Sequence, residues 1–336
     1  MSHEKAEELR AQLLKDVQVA AQVGEQGELE IRPTGYVSTR CPMIDYLIGR
    51  PGLPLGGITI IAGAYGTGKT SLCLQTAAEA QTRGGQVVFF DTEGRFDYDR
   101  AKQLGVNPDD LILVQPETLE ETYEAVESVL KKARDVVGPD DLVLVFVDSS
   151  AGAPLKADWE GDGANPGAYS SLLSSKMKVL PGLVRRTRIG LVLTAQPRQK
   201  LEFGKWGRPE VTWMGERALG HAASTMLLLE EQQKIGDDPN SPEGYRVLVT
   251  AKDTRISGVR RKGWRRTVDF YSDRGFDYYG SLIDLMVDQQ VQLLKYKNGW
   301  YTWQDGKPFR RKDIEQKLDE SPDLLEAIAQ VLEGGT

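Results

Sequence analysis

Eight residues, Gly63-Ala64-Tyr65-Gly66-Thr67-Gly68-Lys69-Thr70, constrain this chain more than any other stretch. They fit G-x-x-x-x-G-K-[ST], the spacing of a loop that wraps a nucleoside triphosphate in backbone N–H groups. Glycine is needed there wherever a Cβ would collide or φ must be positive. Lys69 places a point charge on the β- and γ-phosphates. The Thr70 hydroxyl can ligate Mg²⁺. Both flanks agree: Gly57 to Ala62 reads as a buried strand, and Ser71 to Ala78 as a helix with its N-terminus aimed at the phosphates.

From Pro33 onward, strands alternate with helices. Thr59–Ala62, Gln86–Asp91, Leu111–Gln115, Leu142–Asp148 and Gly190–Gln196 are nearly continuous apolar runs. Residues 70–83, 97–104, 118–135 and 168–187 read as the helices between them. That alternation implies an α/β fold, a mostly parallel sheet with helices on both faces. Met226–Glu230, Tyr245–Ala251 and Arg265–Tyr271 read as an antiparallel extension of the sheet. Residues 280–336 read as a small C-terminal α/β domain, with a Trp300–Trp303 strand and an Asp305-Gly306 turn. Near the start, Leu9, Leu13 and Val17 put one apolar stripe on a helix over 4–21, too short to stand alone. It must dock on the core or on a neighbouring subunit. The expected divisions are 1–33, 34–279 and 280–336.

The 336 residues are 40% hydrophobic and 27% charged, ordinary for a soluble globular protein. No apolar run reaches the ~18 residues of a membrane span. Cys41 and Cys73 suit a reducing cytoplasm, the expected location. With only His3 and His221, neither a histidine metal site nor a Ser-His-Asp triad is expected. A net charge of −7 argues against nonspecific coating of nucleic acid but leaves room for a local basic channel.

Polar groups end the apolar strands where such sheets bind ligands. Asp148 is placed to hold Mg²⁺ with Thr70, from a strand expected beside the loop strand. Glu93, in Asp91-Thr92-Glu93-Gly94, is placed to polarise a water against a γ-phosphate. Gln196 could sense that phosphate and signal to the loop after it. Alone, it is equally a plain polar strand end.

Two long loops follow these strands, about 156–167 and 197–217, the first glycine-rich and structureless. The second interleaves Arg198, Lys200, Lys205 and Arg208 with Phe203, Trp206 and Trp213. Cations for phosphates and π-faces for bases suit single-stranded nucleic acid. Trp159 in the first loop and Lys178 on the helix between the loops are counted with them. The basic run Lys252, Arg255, Arg260, Arg261, Lys262, Arg265 and Arg266 has three readings: DNA contact, a cation reaching a neighbour's γ-phosphate, or a solvated hairpin.

Taken together, these residues resemble one family, the RecA recombinases in their bacterial form, over about 34–333. The resemblance rests on Gly52 to Gly57 before the loop, Asp91-Thr92-Glu93-Gly94, Ala101 to Val106, Asp148-Ser149-Ser150, Ala195-Gln196-Pro197-Arg198 and Phe276 to Leu285. It implies a RecA-like phosphate-loop ATPase core with an N-terminal docking helix. The implied activity is an ATP- and Mg²⁺-dependent helical filament on single-stranded DNA that exchanges strands with homologous double-stranded DNA, and no membrane partner. The implied ATP contacts are Gly63, Tyr65, Gly66, Thr67, Gly68, Lys69, Thr70, Ser71, Asp148, and Asp97 and Arg100 at the adenine. Glu93, Lys69 and Gln196 carry the implied catalysis, and Lys252 and Arg255 reach the next subunit's γ-phosphate. The spacing of that last pair departs from the family's, and His221 stands where an interface aromatic is usual. These departures suggest a phage or plasmid member. A hexameric helicase-like motor, or a filament-forming mediator without turnover, remain alternatives on the same core.

Overall fold

The computed structural model describes residues 33–138, 140–161, 163, 167–199, 211–238, 241–256, 258, 259, 261–304 and 306–333. The helix expected over 4–21 lies outside them. Strands β1 (Gly35–Val37) and β2 (Leu53–Leu55) pair antiparallel on either side of helix α1 (Pro42–Ile48). Every residue of α1 is buried, so it carries no amphipathic stripe, and its signal in the sequence is faint.

The chain then enters β3 (Ile58–Gly63), the loop and α2 (Lys69–Thr82), followed by β4 (Gln86–Asp91), α3 (Tyr98–Gln103), β5 (Leu111–Val114), α4 (Leu119–Val136) and β6 (Val143–Asp148). After these come α5 (Lys156–Trp159), α6 (Ala168–Val184), β7 (Ile189–Ala195), β8 (Pro197–Gln199), β9 (Val211–Trp213) and α7 (Glu216–Ala222). The long strands β10 (Thr225–Ile235), β11 (Gly244–Thr254) and β12 (Arg265–Tyr271) and the short β13 (Gly275–Phe276) complete the sheet. Among the described residues it has nine strands in the order β13-β12-β11-β10-β3-β7-β6-β4-β5.

Strands β10, β3, β7, β6, β4 and β5 run parallel. Their apolar runs alternate between two cores. Val143, Val145 and Val147 of β6 face α4, α6 and α7; Leu144 and Phe146 face α1 and α2. Burial on both faces is why these strands read as unbroken apolar runs.

Two expectations about the sheet are corrected. β6 is not beside the loop strand: β7 lies between them, and β3 is flanked by β7 and β10. The antiparallel extension also joins differently. β10 is parallel to β3, and the direction reverses only at β11. The run after Ala195 is not all loop, since β8 and β9 pair antiparallel and α7 starts at Glu216. The segment 156–167, expected to be structureless, opens as the single turn of α5.

Elements after Tyr278 gather around a separate core of Leu282, Ile283, Met286, Tyr301, Ile314 and Leu324. They are α8 (Tyr278–Val287), β14 (Leu294–Lys297), β15 (Trp300–Trp303), α9 (Ile314–Asp319) and α10 (Pro322–Leu332). The β14–β15 hairpin turns at Asn298-Gly299, with both residues at positive φ. The turn expected after the Trp300–Trp303 strand closes at Gly306, whose N donates to Trp303 O at 3.0 Å, and Tyr301 then pairs with Phe309. Among the described residues, no helix is long and apolar enough to cross a membrane.

Asp45 of α1 is buried and accepts hydrogen bonds from Ser38 Oγ (2.6 Å), Thr39 N (3.0 Å) and Thr39 Oγ1 (2.7 Å). Burial outweighs those donors and pushes its carboxyl from 3.8 up to about 6. The folded state therefore holds an extra proton between these values. That contribution to stability is full below 3.8 and is lost as pH rises through about 6. The Asp45→Asn variant is expected to lack this loss, so the wild type falls relative to it across that window in urea denaturation. Parallel pH profiles would contradict the assignment.

Candidate functional site

The loop between β3 and α2 is built by close approach. A Cβ at Gly63 would lie 2.5 Å from Thr67 Oγ1. At Gly68, φ is +88° and a Cβ would meet the Phe270 and Phe276 rings at 3.0–3.1 Å. Gly68 also caps α2, so that helix's free N–H groups open towards the loop. Lys69 is buried, and its Nζ donates to Ala64 O at 2.8 Å. Burial lowers its pKa, while the Asp148 and Glu93 carboxylates pull it back up.

Asp148 reaches the loop across the end of β7. Its Oδ2 accepts from Thr70 Oγ1 at 2.5 Å, and its Oδ1 accepts from Thr194 Oγ1 of that intervening strand. The Asp148–Ser149 peptide is cis. Glu93 Oε1 accepts from Gln196 Nε2 at 2.7 Å and from Ser149 Oγ at 3.2 Å. One carboxylate thus ties together the ends of β4, β6 and β7.

These groups line a cleft of about 400 Å³ with Tyr65, Gly66, Ser71 and, further along, Phe89, Phe96, Arg100, Phe270 and Ser272. A second cleft of about 530 Å³ adjoins it, lined by Thr92, Ser149, Gly152, Pro197 and Met214. Tyr65, Glu93, Arg95 and Gln196 line both.

Gly152 makes the carboxylate's position possible. A Cβ there would lie 2.3 Å from Thr92 Oγ1, 2.9 Å from Glu93 Cγ and 3.0 Å from Ser149 Oγ. The Gly152→Ala variant is expected to displace Glu93 and lower ATP turnover by up to about 100-fold with KM for ATP unchanged. Wild-type kcat would show that Glu93 has slack at this contact.

The comparisons with known proteins agree with this architecture. The family model of the RecA N-terminal domain matches residues 16–261. This chain belongs to the RecA family. The RecA-family chain is 28% identical to Protein RecA of Ureaplasma parvum serovar 3 over 306 residues, covering 90% of this chain and 87% of that one. It is 30% identical to Protein RecA of Campylobacter jejuni subsp. jejuni over 310 residues, 91% of this chain and 86% of the relative. Among solved structures, the RadB recombinase matches at a TM-score of 0.52 and 25% identity, covering 71% of this chain and 98% of that one.

In this RecA-family recombinase, the structure brings Gly63, Thr67, Gly68, Lys69, Thr70, Glu93, Asp148 and Gln196 together as expected from their places on strand ends and loop. Arg100 lines the cleft too, held by the carbonyls of Ser272 (2.6 Å) and Asp273 (3.0 Å). Asp97 is not among the lining residues; its carboxylate caps α3 by accepting from Arg100 N at 2.9 Å. Lys252 and Arg255 do not line the cleft of their own chain. Arg255 pairs with Asp253 at 3.0 Å and donates to the carbonyl of the exposed His221 at 3.0 Å. Nor is the basic run uniformly a solvated hairpin. Arg261 is buried over the Tyr46 ring, at 4.0 Å, and Arg266 is paired with Asp288 at 2.6 Å.

Trp159 and Lys178 are exposed and lie away from the cleft lining. Trp213, expected among the DNA-facing aromatics, is buried at the base of its loop. Arg198 lies on β8, and Lys200, Phe203, Lys205, Trp206 and Arg208 lie outside the described residues.

Residue-by-residue reading missed the far end of the cleft. Phe270 and Ser272 reach it because Gln75 of α2 grips the main chain of β13. Gln75 Nε2 donates to Phe276 O at 3.0 Å, and Phe276 N donates to Gln75 Oε1 at 2.9 Å. Asp91 was missed as well. It accepts from Phe96 N at 2.9 Å and Gln115 Nε2 at 2.9 Å, which fixes the turn that carries Glu93.

Proposed function

We propose that this chain is an ATP-dependent recombinase that assembles as a helical filament on single-stranded DNA and exchanges strands with a homologous duplex. The observation that carries this reading is the 2.7 Å hydrogen bond from Gln196 to Glu93. It ties the group placed to activate water to the first residue after β7, where the segment 197–217 begins. A change at the γ-phosphate is then felt directly at that segment.

The donor set fits ATP with Mg²⁺. Thr70 Oγ1 and Asp148 Oδ2 are hard oxygen donors 2.5 Å apart. Among the described residues, no cluster of three or more His, Cys, Asp or Glu is arranged to hold a metal. A short protein donor set suits Mg²⁺, which keeps waters and substrate phosphates as its other ligands. Bound there, Mg²⁺ would draw negative charge from the β- and γ-phosphates. Lys69 neutralises the same oxygens, the N–H groups around Gly66 and Gly68 wrap them, and Arg100 and Phe270 border the base. Glu93 orients a water in line with the γ-phosphorus and accepts its proton. Arg198, Lys200, Phe203, Lys205, Trp206 and Arg208, with Trp159 and Lys178, contact single-stranded DNA. Lys252 and Arg255 meet the neighbouring protomer's nucleotide.

Two linked states follow. ATP between protomers orders the DNA segments, and hydrolysis releases them. The test is imaging with ATP and single-stranded DNA, followed by pairing with a homologous duplex. Helical filaments and joint molecules are expected. Closed rings that unwind forked DNA would contradict this reading and favour a helicase-like motor.

A further inference from the structure

We infer that Arg95 is a catalytic residue acting within its own chain: its guanidinium contacts the γ-phosphate of the ATP bound by the same protomer as charge develops there. The inference rests on the ATP-hydrolysis reading and adds a residue to it.

Position is the first argument. Arg95 lines both the loop cleft and the adjoining cleft, as do Tyr65, Glu93 and Gln196. Its Nη1 lies 3.9 Å from Glu93 Oε2. A general base must come within about 3 Å of the water it deprotonates. The attacked atom lies about 3–3.5 Å beyond that water. A cation this close to the base is therefore within one side-chain rotation of the transferring group.

Availability is the second argument. Arg100 is committed to two backbone carbonyls and to Gln103 at 2.8 Å. Lys252 and Arg255 do not line the cleft of their own chain and, in the proposed filament, meet the neighbouring protomer's nucleotide. Among the described residues, the polar contact of Arg95 is the long ion pair to Glu93, and its side chain is 70% exposed. It has donors to give and room to swing. Gly94, at φ +65°, turns the chain so that Arg95 follows Glu93 back along the cleft.

Chemistry is the third. In the step, the water oxygen forms a bond to the γ-phosphorus and the bond from that phosphorus to the β,γ-bridging oxygen breaks. The bridging oxygen leaves with its electron pair as ADP, and the water's proton passes to Glu93. Negative charge shifts on the phosphoryl oxygens and on the leaving oxygen. Lys69 is fixed at the loop, while a guanidinium fork can follow the moving charge and hold two oxygens at once. As the Glu93 carboxylate takes the proton, its pull on Arg95 fades, which frees the guanidinium for the phosphoryl oxygens.

The test uses the full chain on single-stranded DNA, comparing Arg95→Ala and Arg95→Lys with wild type. Supplied arginines of this kind are worth about 10³–10⁵-fold in kcat. For Arg95→Ala the expected loss is about 10³-fold, the low end of that range because the side chain is exposed. The affinity for a slowly hydrolysed ATP analogue should stay close to wild type. Tight binding of ADP with aluminium fluoride should be lost by a factor like that in kcat. Arg95→Lys should recover part of both. Unchanged kcat in Arg95→Ala, or equal losses for ADP, the ATP analogue and kcat, would overturn the inference while leaving the ATPase reading standing. A wild type that does not hydrolyse ATP on DNA would overturn both.

Discussion

Replacing Glu93 with glutamine should leave ATP and DNA binding in place and lower ATP turnover by about 10²–10⁴-fold, the usual worth of a positioned general base. The substitution keeps shape and acceptor. A glutamine oxygen can still receive the hydrogen bonds that Gln196 Nε2 gives at 2.7 Å and Ser149 Oγ at 3.2 Å. What disappears is the charge that polarises and deprotonates water. The loss should therefore fall on kcat and not on ATP affinity. Because the link to Gln196 survives, ATP should still strengthen DNA binding in Glu93→Gln, and release should become slow. Turnover at the wild-type rate would remove Glu93 from the mechanism. Parallel loss of ATP binding would recast it as a ground-state contact.

Lys69→Met should have the second large effect, with opposite signs in two measurements. Lys69 is buried, and burial lowers its pKa despite Asp148 and Glu93. A depressed lysine means that the folded state disfavours the charged form, so the charge costs stability at neutral pH. Methionine keeps most of the stem and removes the charge. The protein without nucleotide should melt at the same temperature or higher. ATP binding should collapse, because the phosphates would then face Asp148 and Glu93 with no buried cation between them. At one hundred times Kd a ligand adds about 2.7 kcal/mol to stability, so the wild type should show a clear upward shift in Tm with ATP–Mg²⁺. Lys69→Met should show none. A lower Tm without nucleotide, or a retained ATP shift, would contradict this account of the lysine.

The chemical end of the cleft was legible in the sequence because each part sits at a marked boundary. Lys69 and Thr70 follow a fixed glycine spacing, and Glu93, Asp148 and Gln196 end apolar runs. Strand neighbours were not legible. Continuous apolar runs on β3, β6 and β7 look alike, so the placement of β7 between β3 and β6 had no local signal. The base end was hidden for a different reason. Phe270 and Ser272 join the cleft through the grip of Gln75 on Phe276, 201 residues away along the chain. Trp213 shows the limit of composition, since a loop tryptophan can be the buried residue that anchors the loop's base. The turn closing at Gly306 was legible from Asp-Gly after the Trp300–Trp303 strand, while the earlier Asn298-Gly299 turn, also a strong hairpin signal, went unread.

The central claim is that the nucleotide cleft and the DNA-binding segments are one coupled device, joined at Gln196 and Glu93. If so, DNA must favour the hydrolysis-competent cleft as strongly as ATP favours DNA binding. The direct measurement is the steady-state rate of ATP hydrolysis by the full chain with and without single-stranded DNA. The account predicts low turnover alone and a large increase on DNA. Full turnover without DNA, unchanged on adding it, would contradict the coupling.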